Sequence, residues 1–253
     1  MVSSLLVLSK FLYLASATLT IGHLLLLIFF VRNTAGSIRD EYLFLRNRIA
    51  RFAWVWLFST IVFILTTLAS ILDLPITSAF DLTMLRSFLT QISLGKSLAL
   101  QTIGALAVAL SISRVRKVSH GALILVLSIF SISIPVFQSH SAAGGSHLIA
   151  IGTLLIHVIG ITLWVGGLSA LVINRKIKLP SVISRYSQMA LWAALSVVIS
   201  GAINAWIRLH ISDAWRSTYG LLVIEKIVLT LVILVLADRK STRLNSSHVA
   251  LSR

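Results

Sequence analysis

The chain of 253 residues is 57% hydrophobic and 11% charged, with a mean hydropathy of +0.98, which excludes a water-soluble domain with an ordinary solvated surface. Its formal net charge of +15 falls almost wholly in alternate loops between apolar stretches, which excludes the nucleic-acid partner that such a charge suggests in a soluble protein. Cysteine is absent, which excludes disulfides, thiolate metal sites and iron–sulfur clusters, and Met1, Met84 and Met189 are the only thioethers.

A membrane span needs roughly 20 mostly apolar residues, and about seven stretches qualify: 5–31, 52–72, 88–113, 118–138, 148–173, 186–207 and 218–237. All are expected to be helices, because lipid cannot satisfy exposed backbone groups. The predicted fold is an all-α polytopic transmembrane bundle. The first stretch is too long for a cleaved signal peptide and no small-residue cleavage site follows it, so it counts as a span.

Basic residues follow the odd-numbered spans: Arg32, Arg39, Arg46, Arg48 and Arg51 after the first, Arg114, Arg116 and Lys117 after the third, Arg175, Lys176, Lys178 and Arg185 after the fifth. Positive loops stay in the cytoplasm, so the N-terminus and the segment around His140 are expected outside. Beyond topology, these residues contact anionic lipid.

Ionisable side chains at bilayer depth are costly, roughly 2.5–3.5 kcal/mol each on insertion scales, and so are functional candidates. His157 lies about 15 Å below His147 at the outer rim, and His23 is placed near the same depth by its distance from the end of span one. Lys10, Lys96, Glu225 and Lys226 fall in the outer half, with Glu225 expected to neutralise Lys96 or Lys226, and Lys10 and Lys226 able to snorkel outward. Asn204, Gln91 and Gln101 read as interhelical hydrogen-bonding residues, and His23 as a histidine bonded to a neighbouring helix. Gly166 and Gly167 read as close-packing positions, Gly166 and Ala170 being spaced as a small-xxx-small pair. Trp164 stands two turns beyond His157 on the same face, so the two are expected to line one cavity.

From Asp238 the chain reads DRKSTRLNSSH, a polar string without the preceding apolar pattern. It resembles the translation of a sequencing-library adapter, residue for residue from Asp238 to His248. Residues 238–253 are therefore expected to be a non-native tail behind a domain spanning 1–237.

The stretch QSHSAAGGSHLIAIGTLLIHVIGITLWVGGL, from Gln138 to Leu168, concentrates His140, His147 and His157. A Ser/Ala/Gly turn separates the first two and can bring both imidazoles to one ion. Imidazole suits copper, zinc, iron and nickel alike, so the spacing does not choose the metal.

The order of a loop histidine, small residues, a histidine at a helix start, a third within the helix and then LWVGGL resembles the copper resistance D (CopD) family. Arg185-Tyr186-Ser187, Ser200-Gly201, Asn204 and Tyr219-Gly220-Leu221-Leu222 follow in that family's order. The resemblance covers about 90–237 well and the first two spans by general character. It is closest to the form fused to a CtaG-type cytochrome oxidase assembly domain. Three departures stand out: Ser139 where the family often has glycine, Leu154 in the neighbourhood of a frequent acid, and Ile224-Glu225-Lys226 where an apolar run ending in lysine is usual.

The resemblance implies copper import or delivery across a bacterial plasma membrane, with no enzyme activity, and links to oxidase assembly or copper resistance. His140, His147 and His157 would be the metal ligands, and a periplasmic copper-binding protein and an oxidase assembly domain the partners beside the ion and the bilayer. Two other readings stay open. His23 and His157 could be axial ligands of a b-type haem in an electron-transfer subunit, or the histidines could be packing residues of a scaffold for an assembly partner.

Overall fold

The computed structural model describes residues 2–30, 36–38, 40–138, 147–175, 180–209, 215–218 and 220–229. The described chain is helical: α1 (Val2–Leu25), α2 (Phe44–Leu72), α3 (Leu82–Gln91), α4 (Ser93–Ser111), α5 (Val118–Ser133), α6 (His147–Ile173) and α7 (Pro180–Leu209), with short π or 3-10 turns extending α1, α4 and α5. Six segments are long and apolar enough to cross a membrane: Val2–Phe29, Phe44–Leu72, Ser93–Arg114, Val118–Gln138, Leu148–Ile173 and Val182–Ile207. The protein is an all-α polytopic bundle. It divides into two compact units, Met1–Gly201 and Ala202–Arg253. In the second, residues 220–229 are helical and the Ser217 hydroxyl accepts from the Gly220 N–H at 3.2 Å. The rest of the expected seventh span, and the 238–253 tail, lie outside the described residues.

Helix α1 is the hub of the first unit: 67% of its most apolar window is buried, against 17% for α6, and it packs on α2, α5 and α6. Its contact with α2 is a seam. Ser9, Tyr13, Ser16 and His23 of α1 meet Thr66, Phe63, Ser59 and Phe52 of α2. One number rises as the other falls, so the helices are antiparallel. Together with the buried Thr20, the α1 positions alternate steps of four and three, the 3.5-residue period of a left-handed helix pair. Small hydroxyl side chains let the backbones approach, and each returns its hydrogen to a carbonyl of its own helix, as Ser16 does to Leu12 and Thr20 to Ser16 at 2.8 Å.

Against α6 the approach is closer. Gly22 and Gly166 touch backbone to backbone, and a Cβ on either would collide with the other helix. Ala170, four residues on, is fully buried, as the small-xxx-small spacing predicts. Gly104 of α4 receives the Ser131 side chain of α5 in the same way.

The three basic segments meet at one end of the bundle. Ser37 and Lys117 form an isolated antiparallel bridge, the Ile38 N–H donating to the Arg116 carbonyl at 3.0 Å. The Arg46 guanidinium donates to the Val115 carbonyl at 3.0 Å, and Arg48 donates to the Asn174 amide oxygen. That is the shared face which the charge pattern requires.

Two boundaries differ from expectation. Helix α2 starts at Phe44 rather than near residue 52, so Arg46, Arg48 and Arg51 lie on its first turns and not in a loop. Interfacial turns carry polar side chains on a continuing helix, which hydropathy alone cuts short. The stretch expected as one span from residue 88 is two helices: Ile92 is extended (φ −86°, ψ 130°) and Gln91 ends the short helix α3, exposed rather than bonded between spans. Asp81 caps α3, accepting from the Thr83 and Met84 N–H groups at 2.8 and 3.0 Å. Gly95 admits the Phe88 carbonyl where any Cβ would strike it, so α3 folds back on α4.

If the α1–α6 approach holds the bundle, Gly166→Leu should destabilise it by roughly 1–3 kcal/mol, the usual cost of overpacking. Gly152→Leu, on the same helix with open space around it, should not. Thermal unfolding in detergent would compare them, and equal midpoints would contradict the assignment.

Candidate functional site

His157 stands ten residues into α6, about 15 Å along the helix from His147. It is half-buried in the first unit, and its Nδ1 lies 3.1 Å from the Val197 carbonyl and 3.2 Å from the Ser200 hydroxyl of α7. A carbonyl only accepts, so Nδ1 carries the hydrogen toward Val197. An imidazole pinned through one N–H to backbone is how metal-ligating histidines are commonly oriented. Gly201 leaves room for the ring: a Cβ there would stand 3.3 Å from the His157 Cε1.

Of the other expected ligands, His147 is the first residue of α6 and its side chain lies outside the described residues, as does the whole of His140. Among the described residues no cluster of three or more His, Asp or Glu side chains could hold a metal ion.

His23 differs from expectation on two counts. Its Nδ1 donates to the Leu19 carbonyl of its own helix at 2.8 Å, not to a neighbour, while Nε2 is buried without a partner among the described residues and the ring tilts against Phe52 at 4.9 Å. Nor does it share the depth of His157. Gly22 sits on Gly166, nine residues beyond His157 on α6, so the two imidazoles are about 13 Å apart along the bundle. Counting residues from the end of span one misplaced His23, because α2 extends well past the apolar window and Phe52 lies beside its basic first turns. One haem iron needs both axial imidazoles at one level, so His23 and His157 do not fit a shared haem.

Gln101 was expected to bond between helices, yet it is fully buried with neither amide atom partnered among the described residues. Trp164 is half-buried, and its carbonyl accepts from the Tyr186 hydroxyl at 2.6 Å. The Tyr186 ring covers Gly167, which makes Tyr186 a brace between α6 and α7 that the sequence marked only by its place in a family pattern. An open cleft of about 320 Å³ is lined by Ser93, Lys96, Ser97, Leu100, Phe130, Ile134, Phe137 and Gln138, and neither His157 nor Trp164 is among its walls. In the second unit Asn204 is half-buried on α7, and Glu225 and Lys226 are exposed neighbours on the 220–229 helix.

Residues 1–149 match the model of the copper resistance protein D-like N-terminal domain, and residues 180–247 match that of copper resistance protein D. The first match includes the two spans whose likeness was only general in character. The second runs ten residues past Ala237. His157 falls between them. No curated protein and no solved structure matches the chain significantly.

The depth offset predicts that no b-type haem absorption of protein purified from haem-replete cells depends on His23 and His157 together. A haem band lost in both His23→Ala and His157→Ala variants would contradict the geometry.

Proposed function

The chain belongs to the copper resistance protein D family, and from that premise we propose that it imports or delivers copper ions across a bacterial plasma membrane, with its N-terminus outside. The observation that carries this reading is His157: an imidazole inside an apolar helix, oriented through Nδ1 by α7. His140 and His147 capture the ion at the outer rim, and His157 accepts it within the bundle. Copper is the cargo and no bond chemistry is catalysed.

Ligand chemistry supports this division. Imidazoles bind Cu(II) well, whereas a Cu(I) relay needs soft thiolate or thioether ligands, and this chain has no cysteine and only three methionines. A periplasmic copper-binding protein supplies the ion, and an oxidase assembly domain is the recipient that the family resemblance suggests. Orientation rests on the basic end formed by Arg46, Arg48, Arg116 and Lys117.

Replacing His140 or His147 with alanine should weaken copper binding on the order of tenfold or more while leaving thermal stability unchanged. His157→Ala should spare surface capture and abolish copper-dependent growth. Protons compete for the same nitrogens, so binding should fade as pH falls through about 6.5, the ordinary histidine value. A triple alanine variant that binds copper and complements growth like the parent would make the histidines packing residues and favour a scaffold.

Reporter fusions test the orientation separately. A periplasm-dependent reporter should be silent between residues 32 and 43 and active between 139 and 146. The opposite pattern would invert the topology.

A further inference from the structure

The cleft between α4 and the end of α5 has a polarity gradient that follows the membrane normal. Ser93, Lys96, Ser97 and Gln138 line its upper part, at the end of the bundle opposite the Arg46–Val115 contact. One to two turns deeper it is walled by Leu100, Phe130 and Ile134, with Phe137 beside Gln138 at the upper level, and Leu100, Phe130 and Phe137 are each at least half exposed. Among the described residues of the first unit, no carboxylate and no hydrogen-bond acceptor engages the Lys96 ammonium. Lys96, the fourth residue of α4, is exposed above this apolar slot, so at headgroup level it offers a cation that complements an anion arriving from the membrane.

We propose that this cleft is a binding site for one anionic glycerophospholipid of the outer leaflet. The phosphate accepts from Lys96 and from the Ser93 hydroxyl, the Ser97 hydrogen being held by the Leu94 carbonyl at 2.8 Å, and one acyl chain runs from Phe137 down along Leu100 and Phe130. Charge complementarity and depth choose this occupant. A soluble anion would leave the apolar slot unfilled, whereas a neutral lipid would forgo the attraction of the Lys96 ammonium. The roughly 320 Å³ of the cleft suits a headgroup and the upper part of one chain rather than a whole lipid, the remainder of which stays in the bilayer. This inference is independent of the copper reading, and only its choice of leaflet rests on the proposed orientation.

The test uses the full chain in nanodiscs containing equal amounts of phosphatidylglycerol and phosphatidylcholine, each tried in turn with a diazirine on the acyl chain. Photolysis of the phosphatidylglycerol probe should label Leu100, Phe130 or Phe137. Lys96→Gln should cut that labelling about fivefold, whereas Lys96→Arg should keep it. Arg114→Gln, at the opposite end of α4, should leave it unchanged and so controls for general loss of basic charge. Equal labelling by the two lipids, or labelling indifferent to Lys96→Gln, would overturn the proposal. So would displacement of the label by millimolar inorganic phosphate, which would mark a site for a free anion, or protein–protein cross-links from these residues in place of lipid, which would mark a contact between copies.

Discussion

The structure turns on one close approach, the backbone contact of Gly22 on α1 with Gly166 on α6. Lipid tails are as apolar as leucine, so burying apolar side chains supplies little drive for helices to associate in a bilayer. Van der Waals contact between bare backbones supplies it instead. Because α1 also carries the serine and threonine seam to α2, this one helix fixes the level of α2 and of α6 at once. Every statement about depth follows from it. His23 sits beside the basic first turns of α2, and His157 stands more than two helical turns further toward the other face.

The two intramembrane histidines therefore do different things with the same chemistry. Both spend Nδ1 on a backbone carbonyl, His23 within its own helix and His157 across to α7. The first is enclosed by α1 and α2 and tilts against an aromatic ring. The second is braced by a neighbouring helix that also offers Ser200, in the N-terminal half of α6. Tyr186 adds a second tie between those helices at Trp164, so the orientation of α6 toward α7 is set at two levels. A ligand held by a rigid pair of helices is better placed to receive an ion than one carried on a loop.

Much of this was legible in the sequence. Lipid forces long apolar stretches to be helices, so the bundle follows from hydropathy, and the sharing of one face by three basic segments follows from charge. Gly166 with Ala170 was readable as a small-xxx-small pair for the same physical reason. Less legible was anything that depends on which helices meet. The partners of Gly22, the seam of Ser9, Ser16 and His23 with α2, and the burial of Gln101 are tertiary facts with no local signature. The break at Ile92 was hidden because the last residues of α3 and the whole of α4 read together as one apolar run. In the candidate site, His157 was found by its cost in lipid, whereas Tyr186 carries no charge to betray it.

The central claim is that this protein holds copper through imidazole nitrogen. X-ray absorption at the copper edge of the copper-loaded full chain, at neutral pH, tests it most directly. The account predicts a shell of nitrogen or oxygen scatterers with the outer-shell pattern of histidine rings and no sulfur. A sulfur shell, which in this chain could come only from Met1, Met84 or Met189, or a copper shell without imidazole scattering, would contradict it.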